Sequence, residues 1–336
     1  MQRTWLRRTV MVGGVVLLAV ALTILVPLWV PVLALVDVLR RKWRFPLCRF
    51  TSFALLWAWM ETLGIVGAAS LWCLGMAKNQ RLNYQLQAWW TRGVIASLRW
   101  TVGLRINVEG APLPGGGPFI AVCRHASLAD SIMSAWVFVT HSQLRPRYVL
   151  KQELKMDPCL DVVGHRLPNY FVDRSSNNIA SELKGIEKMA ENLSMGDVAV
   201  IFPEGTRANV EKRRIALDKL RERAPERYER LQKLKYLLPP KPAGLSALLA
   251  AVPQATVVTM WHSGFDGMDT FKGIVRHLAK SAVHVHVKVV EHQRSTVASG
   301  EAFIAWLDAQ WTAMDESVSR HLGDPAVFQH NGGNHG

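Results

Sequence analysis

Cysteine is scarce in this chain: four residues in 336 (Cys48, Cys73, Cys123, Cys159), no two of them spaced as C-x-x-C. That argues against a disulfide scaffold and makes a reducing, cytosolic face the simpler reading. Acidic residues are nearly missing from the first hundred positions, where only Asp37 and Glu61 stand against 12 lysines and arginines. Charge of either sign is missing from Thr9 to Val36, a run of 28 residues. No G-x-S-x-G elbow occurs anywhere, so nothing marks a serine nucleophile of the hydrolase type. The glycine-rich stretch Pro114–Pro118 lacks the spacing of a nucleotide-binding loop and reads as a linker. No internal repeat is visible.

What is present points to a lipid surface. The net charge is +14, of which +10 falls in residues 1–100 and +4 in the remainder. Nine of the 13 tryptophans share that first hundred. Interfacial indoles and Lys/Arg flanks around apolar runs suit an anionic membrane. A nucleic-acid binder would carry the same charge on a polar domain, so no nucleic-acid partner is expected. The apolar fraction of 49% excludes a disordered chain.

The run from Thr9 to Val36 makes a helix of about 42 Å, longer than a hydrocarbon core of about 30 Å. Pro27 and Pro31 leave it free to span once and bend, or to enter and return as a hairpin. Arg40-Arg41-Lys42 follow in place of a cleavage site, against a signal peptide. A second oily run covers Thr51–Ala77, broken by Glu61; that acid either faces the first helix or an interface, or is a functional polar group in the membrane, the former being favoured. Basic residues flank both runs on every side, which fits two hydrophobic hairpins dipping into one leaflet better than two spans. Residues 82–100 carry Leu82, Leu86, Trp89, Trp90, Val94 and Leu98 at helical spacing, as a core-covering or an interfacial helix.

Strands are expected at Leu104–Val108, Phe119–Cys123, Tyr148–Lys151, Tyr170–Val172, Val198–Phe202, Thr256–Trp261 and Val283–Val290, with helices over 128–140, 176–193, 211–236, 243–251 and 300–321. This alternation predicts an α/β fold with a mixed, mostly parallel sheet flanked by helices, joined to an N-terminal hydrophobic helical membrane anchor. The divisions are an anchor at 1–100, an α/β domain at 101–323 and a flexible tail at 324–336.

Three strand ends carry chemistry. After FIAVC comes Arg124-His125-Ala126-Ser127-Leu128-Ala129-Asp130. An imidazole at a strand mouth with a carboxylate five residues on is a minimal general-base pair, though Ser127 through Asp130 is equally a capping box. After VAVIF comes Pro203-Glu204-Gly205-Thr206-Arg207, a tight turn with a guanidinium suited to phosphate, or simply a strand-ending turn with a solvated ion pair. After Tyr170-Phe171-Val172 come Asp173 and Arg174. One such arginine is commonplace; two arginines and a histidine from three strand ends suggest a site for an anionic substrate.

HASLAD, FVDR and FPEGTR, in this order and at these separations, resemble the motifs of the glycerolipid acyltransferases of the lysophosphatidic acid acyltransferase family, over about residues 95–315. The stretch from Glu211-Lys212-Arg213-Arg214 to Pro239-Pro240-Lys241-Pro242-Ala243-Gly244 is similar to the branch with a basic insert before a fourth block. The resemblance implies an α/β domain anchored by N-terminal helices, with His125 as general base and Asp130 as its orienting partner. It implies that Arg174 binds the substrate phosphate, that Glu204, Gly205, Thr206 and Arg207 position the glycerol phosphate, and that Pro242 shapes the acceptor or acyl groove. The chain departs from the common pattern at Arg124, where Asn is usual, and at Pro168, where Gly is usual.

The resemblance further implies O-acyl transfer from acyl-CoA or acyl-carrier protein, as co-substrates rather than cofactors, to a lysophospholipid, with 1-acyl-glycerol 3-phosphate the first choice. A headgroup-bearing lysophospholipid is the alternative acceptor. An acyl hydrolase and a non-catalytic binder of anionic lipid are the rival classes. No metal is expected: His284 and His286 alternate on one strand, and a solvated strand face is favoured over a zinc pair. The basic stretch 211–236, ten Lys/Arg against five acids, is either a solvated helical hairpin or a contact for CoA phosphates or lipid headgroups. The expected location is the membrane, with the α/β domain on the cytoplasmic face.

Overall fold

The computed structural model describes residues 2–111, 114–127, 129–173, 178–268, 270–298 and 300–323. Arg174 and the tail expected at 324–336 lie outside the described residues.

The chain opens with α1 (Gln2–Ile24), α2 (Val26–Leu39), α3 (Pro46–Cys73) and α4 (Gln80–Val102). Proline decides the first joint. Pro27 enters α2 in its first turn, and α1 ends at Ile24, leaving Leu25 alone between the two helices. The Trp29 indole N–H donates across the joint to the Leu22 carbonyl at 2.8 Å. Pro31 lies inside α2 without ending it. Asp37 is buried and accepts the amides of Leu47 (3.0 Å) and Cys48 (3.4 Å), tying α2 to the start of α3. Asn79 caps α4 by accepting the Leu82 amide, and Gly103 ends it at φ 67°, where a side chain would be strained.

Thr4–Ile24 and Pro46–Cys73 are both long and apolar enough to cross a membrane. Yet α3 is fastened along its length. Arg49 donates to the carbonyls of Thr101 (2.9 Å), Val102 (2.5 Å) and Leu278 (3.4 Å), and Phe50 stacks edge-on against Phe271 at 5.1 Å. Farther on, Glu61 is wholly buried; it accepts the Trp90 indole N–H at 3.1 Å and the Cys159 amide at 3.2 Å. The Ala68 carbonyl accepts from Arg166 at 2.8 Å. Arg49 to Ala68 is about 28 Å of helix. Glu61 thus has a structural post, facing α4 and the segment around Cys159 rather than the first helix. On the other side, α1 is held by Arg7 and Arg8, which both reach the Asp161 carboxylate at 2.8 Å. The faces left bare are apolar: Trp5, Leu17, Leu28, Leu39, Trp43 and Trp72 are exposed. Helix α4 packs along α3 and buries Val94 and Ile95, so one of its faces covers the core, while Trp89 and Trp100 stay exposed.

The α/β part follows as β1 (Arg105–Glu109), β2 (Phe119–Cys123), α5 (Asp130–Ala135, running on into a π turn at Trp136–His141), β3 (Arg145–Lys151), α6 (Pro158–Val162), β4 (Tyr170–Val172), α7 (Ile179–Ala190), β5 (Asp197–Ile201), α8 (Val210–Arg223), α9 (Pro225–Leu231), α10 (Pro242–Ala251), β6 (Thr256–Ser263), α11 (Phe271–Lys280), β7 (His284–His292) and α12 (Gly300–Gly323). The seven expected strands are all present, with ends shifted by up to three residues. The short α6 and α11 were not anticipated. Pro225 divides the basic stretch into α8, which buries nothing, and α9, which Arg227 and Arg230 tie to the fully buried Asp308 of α12.

The sheet runs β1-β7-β6-β2-β5-β3-β4, parallel throughout except for the β6–β7 pair. The central strands β2 (FIAVC) and β5 (DVAVI) are buried at every position, as expected where helices cover both faces. One face packs Ile120, Val122, Ala199 and Ile201 against α7, α10 and α12; the other packs Phe119, Ala121, Val198 and Val200 against α4, α5 and α11. The consequence for function is geometric: β2, β5 and β6 are neighbours, so their carboxyl ends open on one rim.

One expectation is corrected at the far edge of the sheet. The His284/His286 face of β7 is not simply solvated. His286 meets Asn107 (3.3 Å) and Glu109 (3.2 Å) of β1 through its two ring nitrogens and stacks on His321 of α12 at 4.1 Å.

Candidate active site

At the end of β2 the ladder runs one residue past Cys123, through the Arg124 amide to the Met260 carbonyl, and then turns. The turn is held from two sides. The His125 amide donates to Glu204 Oε1 at 2.7 Å, and the His125 carbonyl accepts the Ala208 amide at 2.8 Å. His125 Nδ1 lies 2.8 Å from Asp130 Oδ2, which leaves Nε2 as the nitrogen that faces outward, on a side chain 19% exposed. The Phe202 ring stands 5.1 Å from the imidazole.

Asp130 is the hub. Its Oδ2 also accepts the amides of Ala126 (2.6 Å) and Ser127 (2.8 Å), and its Oδ1 accepts the Ser127 hydroxyl (2.5 Å) and faces His262 Nε2 (2.9 Å). The two readings of H-x4-D are therefore realised in one carboxylate, which closes the turn and orients the imidazole. Burial pushes its pKa up, but the imidazoles of His262 and His125 outweigh this and hold it well below the usual carboxylate range.

Glu204 sits differently from the expectation for an acceptor-binding residue. It is 2% exposed, and its oxygens are taken by the backbone amides of His125 and Leu238, the latter at 2.9 Å. Burial raises its pKa to about 8, with the two amides and Arg124 pulling the other way. Its carboxylate is a clamp between the HASLAD turn and the loop before α10. That loop is itself pinned by α12: Asp315 accepts the amides of Lys235, Tyr236 and Leu237, and the Trp311 indole donates to the Leu238 carbonyl.

Gly205 turns at φ 77°, with its amide on the Phe202 carbonyl at 3.1 Å; a Cβ there would also lie 3.2 Å from Lys241 Nζ. Lys212 Nζ donates to Thr206 Oγ1 (3.2 Å) and to the Arg207 carbonyl (3.3 Å), bringing α8 over the turn. Lys241 joins the same corner by donating its amide to the Pro203 carbonyl at 2.9 Å, and Pro242 starts α10 immediately after it. Close approach needs Gly244, whose Cβ would meet Ile201 at 2.7 Å. His125, Asp130, Glu204, Gly205, Thr206, Arg207 and Pro242 are thus brought to one rim. The strand leading to Arg174, β4, lies three positions from β2, about 14 Å across the sheet.

Sequence reading did not mark three residues here. His262 and Asp266 come from β6 and the loop after it, and Arg124, noted only as a departure, is fully buried against both. A histidine at a strand end was the available signal, but it becomes meaningful only once β6 is known to lie beside β2. A separate apolar cavity of about 90 Å³ lies under α3 and α4; Leu86, Trp90, Ile132 and Leu150 line it, and so does Ser131, which follows Asp130.

Residues 105–263, from the first residue of β1 to the last of β6, match the family model described as Acyltransferase. They are an acyltransferase domain of the glycerolipid acyltransferase family. No curated protein matches the chain as a relative. The acyltransferase domain so defined contains the whole His125–Asp130–Glu204–Arg207 rim and His262, and leaves outside it the four N-terminal helices and α12, whose Asp315 and Trp311 brace it.

Proposed function

We propose that this chain is a membrane-docked O-acyltransferase that moves a fatty acyl group from acyl-CoA or acyl-carrier protein to the free hydroxyl of a lysophospholipid, 1-acyl-glycerol 3-phosphate being the acceptor that fits best. The observation that carries the reading is the His125 Nδ1–Asp130 contact of 2.8 Å with Nε2 facing outward. A lipid hydroxyl is a poor nucleophile at neutral pH. Nε2 takes its proton as the oxygen attacks the thioester carbonyl, and Asp130 stabilises the imidazolium. A C–O bond forms, the C–S bond breaks, and the proton passes from Nε2 to the departing thiolate.

Direct attack is favoured over an acyl-enzyme. Cys123 is buried inside the sheet, where burial pushes its thiol far above the ordinary range, and the Ser127 hydroxyl is buried and donates to Asp130. Arg207, with Lys212 and Lys241 at the same corner, supplies positive charge for a phosphate that undergoes no chemistry. A panel of lysophospholipids against radiolabelled acyl-CoA, using membranes with and without the His125→Ala variant, tests the whole reading. Within that panel Arg207→Ala raises KM for phosphomonoester acceptors about tenfold or more, the worth of one charge-assisted hydrogen bond, and changes KM for acyl-CoA little. A loss confined to donor affinity overturns the phosphate assignment.

The helices of residues 1–100 serve as the docking unit and lie against one leaflet, with the α/β domain on the cytoplasmic face. Support comes from α3, which contacts the α/β domain from Arg49 to Ala68 and so is not free to cross a bilayer by itself. The bare tryptophans and leucines of α1 and α2 then meet lipid. In sealed vesicles, a membrane-impermeant maleimide labels native Cys73 and an engineered Trp43→Cys from the same side. Labelling from opposite sides means that α3 spans.

A further inference from the structure

Asp130 carries two imidazoles. His125 meets one oxygen; His262, the penultimate residue of β6, meets the other at 2.9 Å from a position 1% exposed. To donate to a carboxylate, His262 must hold its proton on Nε2. Its Nδ1 is buried and has no partner. As a bare lone pair that nitrogen costs little, whereas as an N–H it is an unpaired buried donor. The Arg124 guanidinium holds the backbone of the same residue, donating to the carbonyl oxygen of His262 and pairing with Asp266 at 2.5 Å.

Among the described residues, the charged and titratable groups gathered around Asp130 and the two imidazoles include Cys123 of β2, Arg124 just after it, Glu204 from the turn after β5 and Asp266 from the loop after β6. The Phe265 ring closes the remaining side of His262 edge-on at 5.3 Å. Arg124 and Asp266 offset each other, and burial disfavours the Glu204 anion. One negative charge, on Asp130, is left between two imidazoles, and it can compensate one imidazolium.

We propose that His262 is a positioning residue for acyl transfer: donating from Nε2, it fixes the oxygen of Asp130 that His125 does not use, so that the carboxylate stays aligned with the imidazole that takes the acceptor's proton. The inference rests on the reading of His125 as the base.

The test is the pH–rate profile of kcat/KM, with palmitoyl-CoA and 1-acyl-glycerol 3-phosphate as probes, for wild type and two His262 variants of the full chain in membranes. His262→Phe lowers kcat about 10- to 100-fold, the worth of one hydrogen bond to a charged group, with KM for both substrates little changed. It also moves the acidic limb to higher pH, because Asp130 loses a donor that disperses its charge and so holds the imidazolium of His125 more strongly. His262→Gln presents an amide N–H to the same oxygen and returns both kcat and the limb toward wild type. A His262→Phe limb that stays in place, or a glutamine variant as slow as the phenylalanine one, overturns the proposal. An active wild type that loses its activity in His125→Ala leaves the base assignment intact whichever of these is found, so the two readings fail separately.

Discussion

His125→Ala lowers kcat for acyl transfer by about 10²- to 10⁴-fold, the usual contribution of a positioned base, while KM for donor and acceptor stays within a few-fold. The protein should remain folded. The imidazole side chain makes one hydrogen bond, to Asp130, and that carboxylate keeps four other donors: two amides, the Ser127 hydroxyl and His262. The backbone contacts of residue 125 to Glu204 and Ala208 do not involve its side chain. Rates from initial velocities, with expression followed by immunoblot and thermal stability in detergent, separate a chemical loss from an unfolded protein. A variant within tenfold of wild type removes His125 from the mechanism.

Asp130→Asn has the second large effect, and it strikes both activity and stability. An asparagine has one acceptor oxygen and one NH2, so at least one of the five donors converging here meets another donor. Where the NH2 faces His125 Nδ1, that nitrogen must become the acceptor and the ring proton moves to Nε2, which can then no longer take a proton from the hydroxyl. Activity falls about 10³- to 10⁴-fold. Stability falls by about 3 kcal/mol, the cost of leaving buried partners uncompensated. The pH dependence has a definite sign. The folded-state pKa of Asp130 lies below its unfolded value, so its contribution is present above pH about 4 and is lost as pH falls through the folded value. Denaturation in detergent should therefore show the variant least stable relative to wild type at neutral pH, with the gap closing in acid. A gap that is constant with pH contradicts the assignment of charge to Asp130.

The parts of this site legible in the sequence are those written locally. FIAVC and VAVIF announce central parallel strands because both faces are apolar, and the residues after them must then lie at a rim. His125 and Asp130 are five residues apart on one turn, so their meeting needs only that turn to close. Glu204 is 79 residues from His125 and His262 is 132 from Asp130; their contacts depend on strand order, which hydropathy does not encode. That is why the grip of Glu204 on two backbone amides is not written in FPEGTR itself. The same limit applies to the N-terminal helices. Their oiliness makes two of them long and apolar enough to cross a membrane, but the fastening of α3 to the α/β domain comes from Arg49 and Glu61, the kind of polar residue that a hydropathy profile counts only as an interruption.

The proposed reaction requires that the acyl group reach a lipid oxygen rather than water. The most direct measurement pairs thiol release from acyl-CoA with ester formation, in the same membranes, with and without 1-acyl-glycerol 3-phosphate. The account predicts one mole of diacylated product per mole of CoA thiol, and near-silent thiol release when the acceptor is left out. Free fatty acid appearing at the same rate in both conditions would contradict it and make the chain a thioesterase.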